Sequence, residues 1–113
     1  MLPRRNRISR EQFSKLRTLP YKKHTSSEGL SAHWYPTGSP QGFRVGIIIS
    51  SKSIPSSVSR HQIKRRLYSF FAEKVYPQGA LVLYPSKKTA GLRGERLREV
   101  VEGILEALRV ERI

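Results

Sequence analysis

The sequence has no cysteine and no aspartate, and its 113 residues include only 8 acids, all of them Glu. Lack of cysteine excludes a disulfide framework and a thiolate zinc site, and it suits a reducing compartment. Lack of aspartate leaves Glu11, Glu28 and Glu73, widely separated, as the acids of residues 1–75. A nuclease that holds two metal ions wants clustered carboxylates, and a Ser-His-Asp triad wants its acid. Neither is provided. His24, His33 and His61 have no metal-ligand spacing, and "GLRG" lacks the G-K-S/T of a phosphate loop. No apolar run approaches the roughly 18 residues of a membrane span. "MLPRRNRISR" has no apolar segment behind it, which argues against a secretory signal. A cytoplasmic protein is the expectation.

What the chain has in excess is positive charge. Lys and Arg number 22, for a formal net charge of +14. A compact body tolerates such self-repulsion chiefly when its partner is a polyanion. Residues 1–75 hold 15 Lys and Arg against 3 Glu, and residues 76–113 hold 7 against 5. A binding surface is therefore expected from the first two thirds, with a mainly structural C-terminal part. The length fits one domain with one modest core, here read as a single domain over residues 1–113.

Patterning supplies the elements. "ISREQFSKLRTL" (8–19) reads as a short helix, with Ser9 and Gln12 forming a capping box. Residues 21–29 read as a polar connection. "LSAHWY" (30–35) alternates, with Leu30, Ala32 and Trp34 facing a core and Ser31, His33 and Tyr35 on the other face. "FRVGIIIS" (43–50) is a buried strand in which Gly46 signals close approach by another backbone or a ligand. A helix then follows, capped by Ser56, Ser57 or Ser59, and after it a strand, "GALVLY" (79–84). Residues 86–94 read as loop. In the last helix (95–110), Leu97, Val100, Val101, Ile104, Leu105 and Leu108 form one stripe. Its Glu95, Glu99, Glu102 and Glu106 make a solvated face, expected to pair with Arg98 and Arg109. The order α-β-β-α-β-α predicts an α+β fold, a two-layer sandwich in which helices pack a small mixed sheet.

The middle helix, "SSVSRHQIKRRLYSFF" (56–71), carries the binding argument. Ile63, Leu67, Phe70 and Phe71 anchor it, while His61, Arg65, Tyr68 and Ser69 lie opposite and Lys64 and Arg66 flank them. Arg60 stands one turn before Lys64, near the edge of the stripe. Charge runs on solvated surface helices usually mix signs, yet no acid occurs between Glu28 and Glu73. That favours nucleic acid over a merely hydrated face.

The sequence order now shows a resemblance. "RVGIIISSK", a short linker, "SRHQIKRRL", the "GALVLYP" strand and the closing amphipathic helix resemble the protein component of bacterial ribonuclease P. "RRNRISREQF" is similar to that family's basic N-terminal segment and first-helix Phe. The resemblance covers nearly the whole chain. It implies a left-handed β-α-β crossover, against the usual right hand, and docking on the catalytic RNA through Lys52, Arg60, His61, Gln62, Lys64, Arg65 and Arg66. It also implies a basic N-terminal segment (Arg4, Arg5, Arg7 and Arg10) and a cleft for the 5′ leader of precursor tRNA. Phe13 matches the family aromatic of that cleft, where Arg17, His33 and Tyr35 are the further candidates. The alternative places Phe13 in the core and leaves the strand as ordinary surface.

Departures from the family pattern are local. Arg60-His61-Gln62 stand where the family has Arg-Asn-Arg, Ser53 replaces a second Lys, and Tyr68 and Arg17 stand where an Arg and an aromatic are common. His61 can still donate to phosphate, and Gln62 to a 2′-hydroxyl or base edge. The expected partners are the ribonuclease P RNA and precursor tRNA, with no membrane and no stable protein partner. No cofactor is expected on the protein itself; magnesium enters through the RNA. The competing readings are a ribosomal or other structural RNA-binding protein, and a protein-only nuclease that the missing Asp disfavours.

Overall fold

Ser9 and Gln12 start the first helix as their spacing predicts. In the computed structural model, which describes residues 6–19, 23–36, 42–72 and 76–110, the Gln12 N–H donates to Ser9 Oγ at 3.2 Å and the Ser9 N–H to Gln12 Oε1 at 2.9 Å. This capping box opens α1, Arg10–Leu16. The polar stretch after it, expected as a connection, contains a strand. β1, Lys23–Ser27, pairs antiparallel with β2, Leu30–Tyr35. β1 is an edge strand and shows no apolar alternation. Its identity comes from the turn: Glu28 and Gly29 have φ of 50° and 79°, the left-handed pair that matches hairpin twist. A Cβ on Gly29 would also strike Ser86 Oγ.

β3, Phe43–Ile47, is shorter than predicted. Ile48 still donates its N–H to the Leu83 carbonyl at 2.9 Å, and the chain then leaves the sheet. α2, Ser57–Phe71, is capped by Ser56, whose side chain accepts the Ser59 N–H at 3.3 Å. β4, Gly79–Tyr84, lies where expected. The predicted loop at 86–94 includes a one-turn helix, α3, Lys87–Ala90, and α4 covers Gly94–Ala107. α4 stops short of residue 110 because Arg109 takes a left-handed φ of 59°.

The four strands lie in the order β1-β2-β4-β3. β4 pairs antiparallel with β2 and parallel with β3, so β3, α2 and β4 form the expected β-α-β unit. Leu30, Ala32, Trp34, Val45, Leu81 and Leu83 fill one face of the sheet, against Ile63, Leu67 and Phe71 of α2 and the Val100–Leu105 stripe of α4. That is the helical layer the sequence predicts. The opposite face carries a smaller cluster, in which α1 sets Leu16 over Tyr35, Ala80 and Val82.

Gly46 explains how the N-terminal segment joins. Arg7 bridges to Val45 in parallel fashion, and the Ile8 N–H donates to the Val45 carbonyl at 3.0 Å. A Cβ on Gly46 would stand 3.0 Å from the Ile8 Cβ. The close approach inferred at Gly46 is therefore made by this chain itself. Residues 6–8 cover the β3 edge, a strand edge that otherwise invites foreign pairing.

Candidate RNA interface

α2 stands with its basic face beside a groove. Ile8, Arg10 and Phe13 form one wall, Lys64 and Tyr68 of α2 the other, and Gly46 to Ile49 the floor, enclosing about 440 Å³. A smaller recess of about 270 Å³ adjoins it through Lys64 and Tyr68, ringed further by Arg7, His61 and Arg65. The anchoring stripe of Ile63, Leu67 and Phe71 fixes the rotation of the helix, and that rotation aims Lys64, Arg65 and Arg66 away from the core. His61, Gln62 and Arg65 are exposed, and Lys64 and Arg66 partly so. Among the described residues, the ion pairs all lie elsewhere. Glu28 meets Lys88 at 3.5 Å and Arg96 at 3.0 Å, and Arg96 meets Glu99 at 3.2 Å. Of the α4 acids Glu99 pairs, and its partner is Arg96 rather than the expected Arg98 or Arg109; Arg96 also reaches Glu28 at the hairpin turn. Lys64, Arg65 and Arg66 keep their charge unneutralised by any described acid.

Tyr68 corrects the helical-wheel picture. It is partly buried rather than opposite the core, because the β3 end and residues 6–8 widen the covered arc of α2. The Arg7 guanidinium lies 5.5 Å from its ring centre, a cation–π distance. Burial raises the Tyr68 pKa above the ordinary phenol value, while a hydrogen bond with the Ile47 backbone and the Arg7 charge pull it the other way. Arg7 Nε is itself buried without a hydrogen-bond partner among the described residues. The sequence placed Arg7 in the basic segment but held no sign of this wall, since it depends on a contact between residues far apart in the chain.

Other expected contacts take different positions. Arg60 turns back: its Nη1 donates to the carbonyls of Ile54 and Pro55, both at 2.8 Å, and so ties down the linker before α2. Lys52 is exposed in the turn at 51–53. Arg10 lines the groove, and Arg4 and Arg5 lie outside the described residues.

The expected cleft residues do not share one wall. Phe13 lines the groove and also packs on the smaller cluster. The Arg17 guanidinium lies 6.0 Å from its ring centre. Tyr35, expected as a stacking surface, is only 4% exposed beneath Leu16. That is a correction with a plain cause: α1 covers the second face of β2. His33 is partly buried, with His24 and Tyr84 each at 5.0 Å between ring centres. Across the sheet, His24, His33, Val82 and Gly46 are successive register partners. His33 is thus two strands from the groove floor, about 10 Å, with the Leu16–Val82 contact between them. Tyr84 belongs to this strip; burial, then Tyr35, raise its pKa, against a lowering by Arg17.

Among the described residues, no helix is long and apolar enough to cross a membrane. Among curated proteins nothing matches the sequence. Solved structures do resemble the fold. The Staphylococcus aureus RNase P protein matches with a TM-score of 0.74 at 16% identity, over 93% of this chain and 96% of that one. A mutant of the S. aureus protein, described as defective in mRNA degradation activity, matches with a TM-score of 0.76 at 16% identity, over 95% and 91% of the two chains. The sequence profile of the Ribonuclease P family matches residues 2–109, nearly the whole chain. The chain belongs to the Ribonuclease P family.

Proposed function

We propose that this subunit docks on the catalytic RNA of ribonuclease P through the exposed face of α2, and holds the 5′ leader of precursor tRNA in the groove beside Phe13. The observation that carries the reading is the set of α2 cations, Lys64, Arg65 and Arg66, left without an ion pair among the described residues beside an open groove, while the ion pairs gather round Glu28 and Arg96. Phosphates crossing the recess meet Arg7, Lys64 and Arg65 together. Each neutralised phosphate releases counterions and binds more weakly as salt rises. The leader is single-stranded, and Phe13 gives an unpaired base a flat surface with Arg17 over it.

The protein's contribution to cleavage is then one of binding. It screens the repulsion between two RNAs and holds the substrate where the RNA reacts. The cleaving groups and their magnesium ions we assign to the RNA, and the site of action to the cytoplasm. A purely structural RNA-binding role is disfavoured by the family match over residues 2–109. Binding of the cognate catalytic RNA across a salt series tests the docking. Lys64→Ala and Arg65→Ala should each lower the slope of log K against log salt by about 0.9. Wild-type slopes in both variants would show that this face is only hydrated.

A further inference from the structure

A second groove lies on the other flank of α2, where α4 begins. Arg65, Arg66 and Arg98 stand round it, and Leu67, Phe70, Leu97 and Val101 form its floor, enclosing about 450 Å³. The helix that contributes Arg98 is the acidic one, yet none of Glu95, Glu99, Glu102 and Glu106 lines the groove. Glu99 is turned away, toward Arg96. Arg98 is exposed and makes no ion pair among the described residues. Gly94, the first residue of α4, borders the groove, and its cap position Arg93 supplies no side-chain hydrogen bond to the first turn. The positive end of the helix dipole adds to the three guanidinium charges there.

Fixed cations around a short apolar floor suit a ligand that is anionic along its length and flat and apolar at intervals. Unpaired RNA has that chemistry, with phosphates for the arginines and base faces for the floor. An acidic helical peptide would meet the same charges, but it anchors by apolar residues over two or more turns, and this floor spans about one turn of each helix, Leu67 and Phe70 on α2 and Leu97 and Val101 on α4. Continuity favours RNA as well. Arg65 borders both this groove and the recess beside Arg7, so the two sites share a cation across the crest of α2.

We propose that the α2–α4 groove is a second RNA site, taking a single-stranded segment with an unpaired base against Phe70 and Leu97 and its phosphates on Arg66 and Arg98. RNA then grips α2 from both flanks, and α4 belongs to the interface rather than to the scaffold alone. This rests on the reading that α2 docks on the catalytic RNA.

The cysteine-free sequence permits a direct test. Ser69→Cys places one thiol in the α2–α4 groove, and His61→Cys places one in the recess on the other flank. Each is coupled to an iron chelate that cleaves nearby RNA backbone by hydroxyl radical, in the reconstituted ribonucleoprotein. The expected result is two separate sets of cleaved nucleotides. Arg98→Ala, checked for folding by thermal melting, should also lower the salt slope of RNA binding by about 0.7, one single-strand phosphate; Arg98→Lys should keep it. Cleavage from His61→Cys with silence from Ser69→Cys overturns the second site and leaves the first docking intact. The groove then belongs to solvent or to an acidic protein. Silence from both overturns the docking of α2 itself, and this proposal with it. A wild-type slope in Arg98→Ala also overturns the site, even where the Ser69→Cys probe cleaves.

Discussion

Replacing Phe13 by Ala separates the two surfaces that this side chain serves. The ring packs against the cluster of Leu16, Tyr35, Ala80 and Val82 and also lines the groove, with the Arg17 guanidinium 6.0 Å from its centre. A fully buried Phe→Ala change costs about 3–5 kcal/mol. Phe13 is only partly buried, so a stability loss of about 2 kcal/mol is expected. Domains of ordinary stability, about 5–15 kcal/mol, remain folded after such a loss, and the binding measurement stays interpretable. A base stacked on the ring contributes about 1–3 kcal/mol, or roughly 5-fold to 150-fold in affinity. The assay is equilibrium binding of precursor and mature tRNA to the reconstituted ribonucleoprotein at one salt concentration, with thermal melting of the free variant. Affinity for precursor tRNA should fall within that range, while mature tRNA, which lacks the leader, binds as before. Equal losses for both RNAs, or an unchanged precursor affinity beside a depressed melting temperature, would return Phe13 wholly to the core. The leader would then be held by charge, with Arg10 and Lys64 as the nearest cations on the groove.

Gly46→Val should push residues 6–8 off β3, because a Cβ at this position would stand 3.0 Å from that of Ile8. Overpacking costs about 1–3 kcal/mol, and faster hydrogen exchange of the Ile8 amide would report the release. Tyr68 governs part of the alkaline limit. Its pKa is raised above 10.0 by burial, so its contribution is whole below pH 10 and fades as pH climbs through the raised value. Tyr68→Phe should therefore lose less stability than the wild type as pH rises above about 10 in thermal melts; an identical alkaline decline in both would contradict this. Arg60→Ala should destabilise by about 1.5–3 kcal/mol, the range for hydrogen bonds to a charged group. Arg65→Ala should leave the melting temperature nearly unchanged. Equal melting temperatures for these two variants would free Arg60 for the RNA face.

Legibility in the sequence followed the range of the interactions. The Ser9–Gln12 box, the alternation of Leu30, Ala32 and Trp34 and the α4 stripe are local patterns, and each appears in the fold as read. β1 was not legible, since an edge strand of Lys, His, Thr and Ser carries no alternation, and its turn places a Glu where Asn or Gly would announce the left-handed conformation. Tyr35 was misplaced for a related reason. Alternation shows that a strand has two faces, but not that a distant helix covers the second one. The same applies to Tyr68, whose half-burial depends on residues 6–8 folding back to β3. Charge was legible as an amount and a rough position. Its division between Arg60, which holds the linker, and Lys64 and Arg65, which face outward, depends on side-chain geometry that spacing does not encode.

Cleavage of precursor tRNA, followed over a magnesium series with and without the cognate ribonuclease P RNA, tests the central claim most directly. Protein free of RNA should leave the substrate intact at every magnesium concentration. The RNA alone should cleave only at high magnesium, and adding the protein should shift the requirement to markedly lower concentrations, since its cations share in screening the phosphates. Metal-dependent cleavage by the RNA-free protein, or a magnesium requirement that the protein does not move, would contradict the account.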